Sequence, residues 1–145
     1  RAARGRYLVV CNDDVEALKN AAHITLIGIG GIFHRESQAF LATNAGNVLA
    51  GLRVDRAFLG VTGLSVEHGI SNIDLAQTDF KRWIIEIAKE VVLVADSLKI
   101  GEVALTRIGP ISAADKLVTD DQISSRDRLA FAQAGLEVIV ATRNG

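Results

Sequence analysis

Hydrophobic positions in this chain fall into short runs separated by amphipathic segments of helical length, and the clearest case lies at its centre. Ala57-Phe-Leu-Gly-Val-Thr-Gly-Leu-Ser65 reads as a buried strand running into a glycine-bearing turn. From Asp74 to Lys89 the apolar positions Ala76, Phe80, Trp83, Ile84 and Ile87 recur at helical spacing, with Asp74 as the cap. Val91-Val-Leu-Val-Ala-Asp-Ser-Leu-Lys99 is a second buried strand that ends in an acid, a hydroxyl and a lysine. Strand, helix and strand in this order predict a βαβ unit with parallel strands and a right-handed crossover. Ligands in open sheets of this kind sit beyond the carboxyl ends of the strands. Those ends carry Thr62 and Gly63 on one strand and Asp96, Ser97 and Lys99 on the other, which makes this rim the candidate site. Most charges on the helix form a solvated face, but Lys81 lies close enough to its start to turn toward the rim.

The flanking segments extend the pattern. Tyr7 to Cys11 reads as a strand, and Asn12, Asp13 and Asp14 cap a helix from Val15 to Ala21. Ile24 to Ile27 is the next strand. Gly28-Ile-Gly30-Gly31 invites comparison with a dinucleotide fingerprint, but Phe33 stands where the third glycine belongs and no helix opens there, so a tight turn is expected. His34 to Ser37 is a polar connection, followed by a helix from about Thr43 to Leu52. Beyond Lys99 come an edge-type strand at Val103 to Ile108, a turn at Gly109-Pro110, a short helical piece at Ser112 to Ala114, and a strand at Lys116 to Asp120. Ser124-x-x-Asp127 opens a helix to Ala134, Gly135 stops it, and Leu136 to Ala141 is the last strand. Five or six strands alternating with helices predict one three-layer, Rossmann-like α/β domain with a parallel-dominated sheet, helices on both faces, and Trp83 and Ile84 packed inward.

Composition narrows the function. Hydrophobic residues make up 49% of 145 and aromatics only 5%, so the core is built from Ala, Val, Leu and Ile, which suits a parallel sheet. A formal net charge of −1 gives no electrostatic ground for this chain to hold nucleic acid by itself. One cysteine, no apolar run of membrane-spanning length and no signal peptide point to a reducing, cytoplasmic setting. Three scattered histidines and Cys11 lack metal-ligand spacing, and there is neither a Gly-x-Ser-x-Gly elbow nor a Walker lysine motif. No cofactor and no catalysis are expected. A lysine held just past a strand end beside backbone amides and a hydroxyl suits an anion such as phosphate. A loop lysine paired with Asp96 is the equal alternative on spacing alone.

Asp55-x-x-Phe58-x-Gly60, Gly63, Gly69, Lys81-Arg82, Asp96-Ser97-x-Lys99-x-Gly101 and Leu117-Val-Thr-Asp120 together resemble the C-terminal effector-sensing domain of DeoR-family bacterial transcription regulators. The resemblance runs from about Tyr7 to Ala141. It implies a fold similar to ribose-phosphate isomerase and the aminosugar-phosphate deaminases, a phosphorylated sugar or related metabolite as effector, and a homo-oligomer. It also implies an N-terminal winged helix-turn-helix that binds operator DNA, and a first phosphate loop, both upstream of Arg1, so the chain reads as the sensor portion of something longer. Lys99 would contact the effector phosphate, and Asp96 would position Lys99 or bind a sugar hydroxyl. Asn12, Arg35 and Lys81 would join the same pocket. The chain departs from the family at Thr62, where an acidic or amide residue is common, and at Thr43-Asn44-Ala45, where Gly-Pro is usual. The rival is a phosphosugar isomerase or deaminase on the same fold, which needs a positioned general base. Thr62 cannot serve, and Glu67 is the nearest carboxylate.

Overall fold

The computed structural model describes residues 7–11, 24–28, 30–36, 38–41 and 45–142. The chain divides into two units, 1–48 and 49–145. In the first, β1 (Tyr7–Cys11) pairs in parallel with β2 (Ile24–Gly28), in register from Tyr7↔Ile24 to Cys11↔Gly28. The glycine-rich segment after β2 leads into another strand, β3 (Ile32–His34), so no phosphate-binding helix opens there. β3 turns back antiparallel onto β4 (Ala39–Leu41), with the Phe33 and Phe40 rings 5.3 Å apart. The polar connection is therefore a hairpin turn, in which Gln38 takes a positive φ of 52° and its Nε2 donates to the Arg35 carbonyl at 2.7 Å. The helix expected over 15–21, its caps, and Thr43 and Asn44 lie outside the described residues. α1 spans only Ala45–Leu49, ended by the turn at Ala50 and Gly51.

In the second unit, β5 (Val54–Gly60) is followed by the short strands β6 (Gly63–Ser65) and β7 (Gly69–Asn72), then α2 (Leu75–Ile87) and β8 (Ala88–Val94). After these come β9 (Thr106–Gly109), β10 (Lys116–Asp120), α3 (Ser125–Gln133) and β11 (Glu137–Ala141). The order β11-β10-β8-β5 forms a sheet that is parallel throughout. The expected βαβ unit is β5-α2-β8, and the fold is α/β and Rossmann-like. α2 is the longest described helix. Its Asp74 cap accepts from Gln77 N at 2.8 Å, a contact of the kind worth about 1 kcal/mol. Ser124 caps α3 in the same way, accepting from Asp127 N at 3.0 Å.

Three features differ from expectation. The second unit holds not one sheet but two: β6, β7 and β9 form a separate antiparallel sheet, so the strand near 103–108 is an edge of that sheet rather than of the parallel one. Arg82, read as part of a solvated face, closes that edge, donating from Nε to the Ile108 carbonyl at 3.3 Å and from its guanidinium to the Arg107 carbonyl. Trp83 is only half-buried, while Ile84 is buried.

The parallel strands alternate apart from β8, where Val91, Val92 and Leu93 are all buried. Ala57, Leu59, Val91, Leu93 and Leu117 bury one face, and Phe58, Val94 and Ile139 stay exposed on the other. Chain order explains this, because β5, β8, β10 and β11 step across the sheet in one direction. Crossovers of one hand then put α2 and α3 on the same face. At the amino-terminal end of the open face, Arg56, Glu90, Lys116 and Glu137 form a cross-strand ladder of ion pairs. The candidate rim lies at the opposite end of the strands.

Candidate functional site

The carboxyl ends of β5 and β8 carry two groups of polar side chains. In the first, Thr62 Oγ1 donates to Asn72 Oδ1 at 3.0 Å, and Lys81 Nζ donates to the same oxygen at 3.1 Å. Asn72 Nδ2 donates in turn to the Asp74 carbonyl at 3.3 Å. Asn72 is buried, and its amide thereby joins the loop after β5, strand β7 and the start of α2. Gly63 sits beside it because nothing larger fits. A Cβ there would lie 2.6 Å from Ser71 Oγ and 2.9 Å from the Glu102 carbonyl carbon.

The second group is a single turn. Past β8, Asp96 opens a 3-10 turn, Ser97–Lys99, closed by Lys99 N donating to the Asp96 carbonyl and Ile100 N to the Ser97 carbonyl, both at 3.1 Å. Asp120, the last residue of β10, accepts from Ser97 N at 2.8 Å and from Gln122 N at 2.9 Å. These amides, that of Ser97 foremost, hold the Asp120 carboxyl below its ordinary range. Gly101 N donates to the Leu64 carbonyl at 2.8 Å, and Leu64 bridges to Ile100, so the turn is fastened to β6 just beyond Thr62 and Gly63. Lys99 is half-buried and Asp96 exposed, and neither side chain has an ion pair or hydrogen bond among the described residues. Asp96 shapes the turn through its backbone carbonyl, not through a carboxylate pair with Lys99.

Thr62, Gly63 and Lys81 thus gather around Asn72, and Asp96, Ser97 and Lys99 share one turn alongside. Arg35 is exposed in the β3–β4 hairpin turn of the first unit, and Asn12 lies outside the described residues. Asn72 and Asp120 position these groups; sequence reasoning passed over Asn72 and quoted Asp120 only within Leu117-Val-Thr-Asp120, without a role. Asp120 carried a usable signal, an acid ending an apolar strand just as Asp96 does. Asn72 sits in a four-residue strand too short to show a period. Glu67 lies in the β6–β7 turn, exposed, its carboxylate 3.8 Å from His68 Nε2. Among the described residues no cluster of His, Cys, Asp or Glu could hold a metal ion, and no helix is long and apolar enough to cross a membrane. A lysine ammonium with no counter-ion among the described residues, in one turn with the Ser97 hydroxyl and the Asp96 carboxylate, suits a small molecule bearing both an anionic group and hydroxyls.

The Asp120 contact makes a pH prediction. Its folded pKa lies below the ordinary 3.8, so its contribution to stability is fully present above pH 3.8 and is lost as pH falls through the lower folded value. Urea midpoints followed downward from about pH 5 should fall more steeply for the natural chain than for Asp120→Asn. Equal slopes would mean that the two amide contacts do not hold the turn.

The profile of the DeoR C terminal sensor domain matches residues 3–121. The chain is 32% identical over 111 residues to the HTH-type transcriptional regulator IolR of Bacillus subtilis, covering 77% of this chain and 44% of that protein. It is 33% identical over 135 residues to the uncharacterized HTH-type transcriptional regulator YgbI of Escherichia coli, covering 92% of this chain and 52% of that protein. With the deoxyribose operon repressor of Escherichia coli it shares 31% over 104 residues, 72% of this chain and 41% of the repressor. The chain spans about half the length of these relatives or less. A parallel α/β sheet with this rim, together with a profile match over most of its length, makes the chain a member of the DeoR C-terminal sensor domain family.

Proposed function

We propose that this domain senses a phosphorylated sugar or closely related metabolite and controls DNA binding by a bacterial transcriptional repressor. The observation that carries the reading is Lys99: an ammonium without a partner among the described residues, held in a rigid turn at the carboxyl end of a central parallel strand. Phosphate takes that charge, and the Ser97 hydroxyl, the Asp96 carboxylate and the Thr62–Asn72–Lys81 cluster supply contacts for sugar hydroxyls. A relative named as the deoxyribose operon repressor supports a sugar-linked effector. The operator is bound by a separate N-terminal domain. The effector acts by binding one of two arrangements of the whole regulator more tightly than the other. Glu67, the carboxylate nearest Thr62 in sequence, is exposed in the β6–β7 turn and gives the isomerase or deaminase reading no support.

Calorimetry on the full-length regulator, comparing phosphorylated sugars with their unphosphorylated parents, tests this. Binding confined to a phosphorylated compound, accompanied by a change in operator affinity, is the expected result. Tight binding of an unphosphorylated sugar, or turnover of a sugar phosphate, would overturn it.

A further inference from the structure

A single polar side chain interrupts the last row of the parallel sheet's helix-covered face. Thr119 pairs with Val140 between β10 and β11, and the registers of β10 with β8 and of β8 with β5 bring Ala95 and Val61 level with them. Ala95 N donates to the Val118 carbonyl at 3.1 Å, which sets Ala95 beside Thr119. This row lies one step beyond that of Leu59, Leu93, Leu117 and Val138. Thr119 is only 3% exposed, and its Oγ1 has no hydrogen-bond partner among the described residues. Burying a hydroxyl unpaired forfeits its hydration with nothing in return, and a valine of nearly the same shape would carry no such cost. An internal water does not resolve this, because a water needs several polar partners and the side chains of this row offer only one.

Each member of the row directly precedes a rim residue: Val61 precedes Thr62, Ala95 precedes Asp96, and Thr119 precedes Asp120. Segments 95–97 and 118–120 run side by side, joined by the Ala95 and Ser97 amides on Val118 and Asp120. Both carboxylate oxygens of Asp120 already accept from backbone amides, so the Thr119 hydroxyl is the uncommitted polar group at this end of β10. We propose that Thr119 is a specificity-determining residue of the sensor, and that its hydroxyl pairs with a hydroxyl group of the effector. This rests on the sensing function proposed above, and it adds recognition of a sugar hydroxyl to the binding of phosphate by Lys99. Because the oxygen is closed to solvent, the effector reaches it only when the adjoining Ser97–Lys99 turn shifts. Effector binding is thereby tied to one position of the turn that carries Lys99. A hydroxyl unpaired in one arrangement and paired in the other contributes to the difference in affinity that a sensor requires.

The test uses the full-length regulator, with titration calorimetry against ribose 5-phosphate, 2-deoxyribose 5-phosphate, glucose 6-phosphate and fructose 6-phosphate, and scanning calorimetry without any of them. Thr119→Val should raise the unfolding midpoint by about 2–4 °C, since it removes an unpaired hydroxyl. The same variant should bind the sugar phosphate that the natural protein takes about tenfold more weakly. Thr119→Ser keeps the hydroxyl and should hold that affinity within about twofold, while its lost methyl lowers the midpoint. A purely structural hydroxyl would give the opposite pair of results for Thr119→Val, a lower midpoint and unchanged affinity. Either of these, or a loss of affinity in Thr119→Ser equal to that in Thr119→Val, would overturn the proposal. Binding by the natural protein that ignores Thr119→Val removes this assignment alone, whereas failure of every sugar phosphate to bind the natural protein removes the sensing function and this assignment with it.

Discussion

Replacing Lys99 by glutamine is expected to weaken binding of a phosphorylated sugar by about tenfold to a hundredfold, with the thermal unfolding midpoint of the ligand-free protein nearly unchanged. A hydrogen bond between charged groups contributes about 1.5–3 kcal/mol, and each 1.4 kcal/mol is a factor of about ten in affinity. The midpoint should hold because the ammonium has no partner among the described residues, so the fold loses no contact when the charge is removed. Lys81→Gln makes the useful contrast. That side chain donates to the buried Asn72 amide, so its loss should lower stability as well as affinity. Calorimetry for binding and scanning calorimetry for the ligand-free proteins separate the two patterns. Unchanged affinity in Lys99→Gln would place the phosphate elsewhere, and a lowered midpoint would make Lys99 a structural residue.

The βαβ centre was legible because its signals are long and agree with one another. α2 shows a helical period over thirteen residues behind an Asp cap, and its flanking strands are apolar. The Ser124–Asp127 cap and Gly135 bounded α3 equally well, with Leu136 N donating to the Phe131 carbonyl at 3.0 Å as the chain leaves the helix. What escaped is short or depends on partners distant in sequence. β3, β4 and β6 have three residues each, too few for alternation to register. β8 begins at Ala88, three residues before its apolar run, because Ala88, Lys89 and Glu90 lie where the sheet carries its charged ladder rather than its core. Arg82 gave no sign of its role, since an edge carbonyl 25 residues away leaves no mark on local sequence.

The candidate rim was legible in part. Asp96, Ser97 and Lys99 were singled out by the chemistry that ends an apolar strand, and the structure puts them in one turn there. Their geometry was not, because a 3-10 turn held by Asp120 from the neighbouring strand is a tertiary contact. Thr62 and Lys81 were placed at the rim as separate residues, and what joins them is Asn72, contributed by a strand that reads as loop.

The antiparallel ribbon that carries Asn72 rests on a glycine, and Gly69→Ala should be among the most damaging single-methyl changes in the domain, at about 2–5 kcal/mol. Two causes add. Gly69 has a φ of +79°, where an L side chain costs roughly 1–2 kcal/mol. A Cβ there would also overlap the Gly109 carbonyl oxygen and stand 3.0 Å from Pro110 Cα, both backbone, and overpacking of this kind costs about 1–3 kcal/mol. Neither neighbour can rotate away as the end of a side chain could. Gly135 isolates the first cause, because its φ is +90° and nothing lies within 4 Å of its would-be Cβ. Gly135→Ala should therefore cost only about 1–2 kcal/mol. In urea unfolding the gap between the two variants measures how tightly β7 approaches the chain at Gly109. Relief in Gly69→Ala requires β7 to move away from β9, which shifts Asn72 and with it Thr62 and Lys81, so effector affinity should fall even in the folded fraction. Gly135→Ala, beyond α3, should leave affinity alone. Equal destabilisation by the two substitutions would mean that the ribbon yields easily at Gly69, and that the Asn72 cluster does not depend on its close packing.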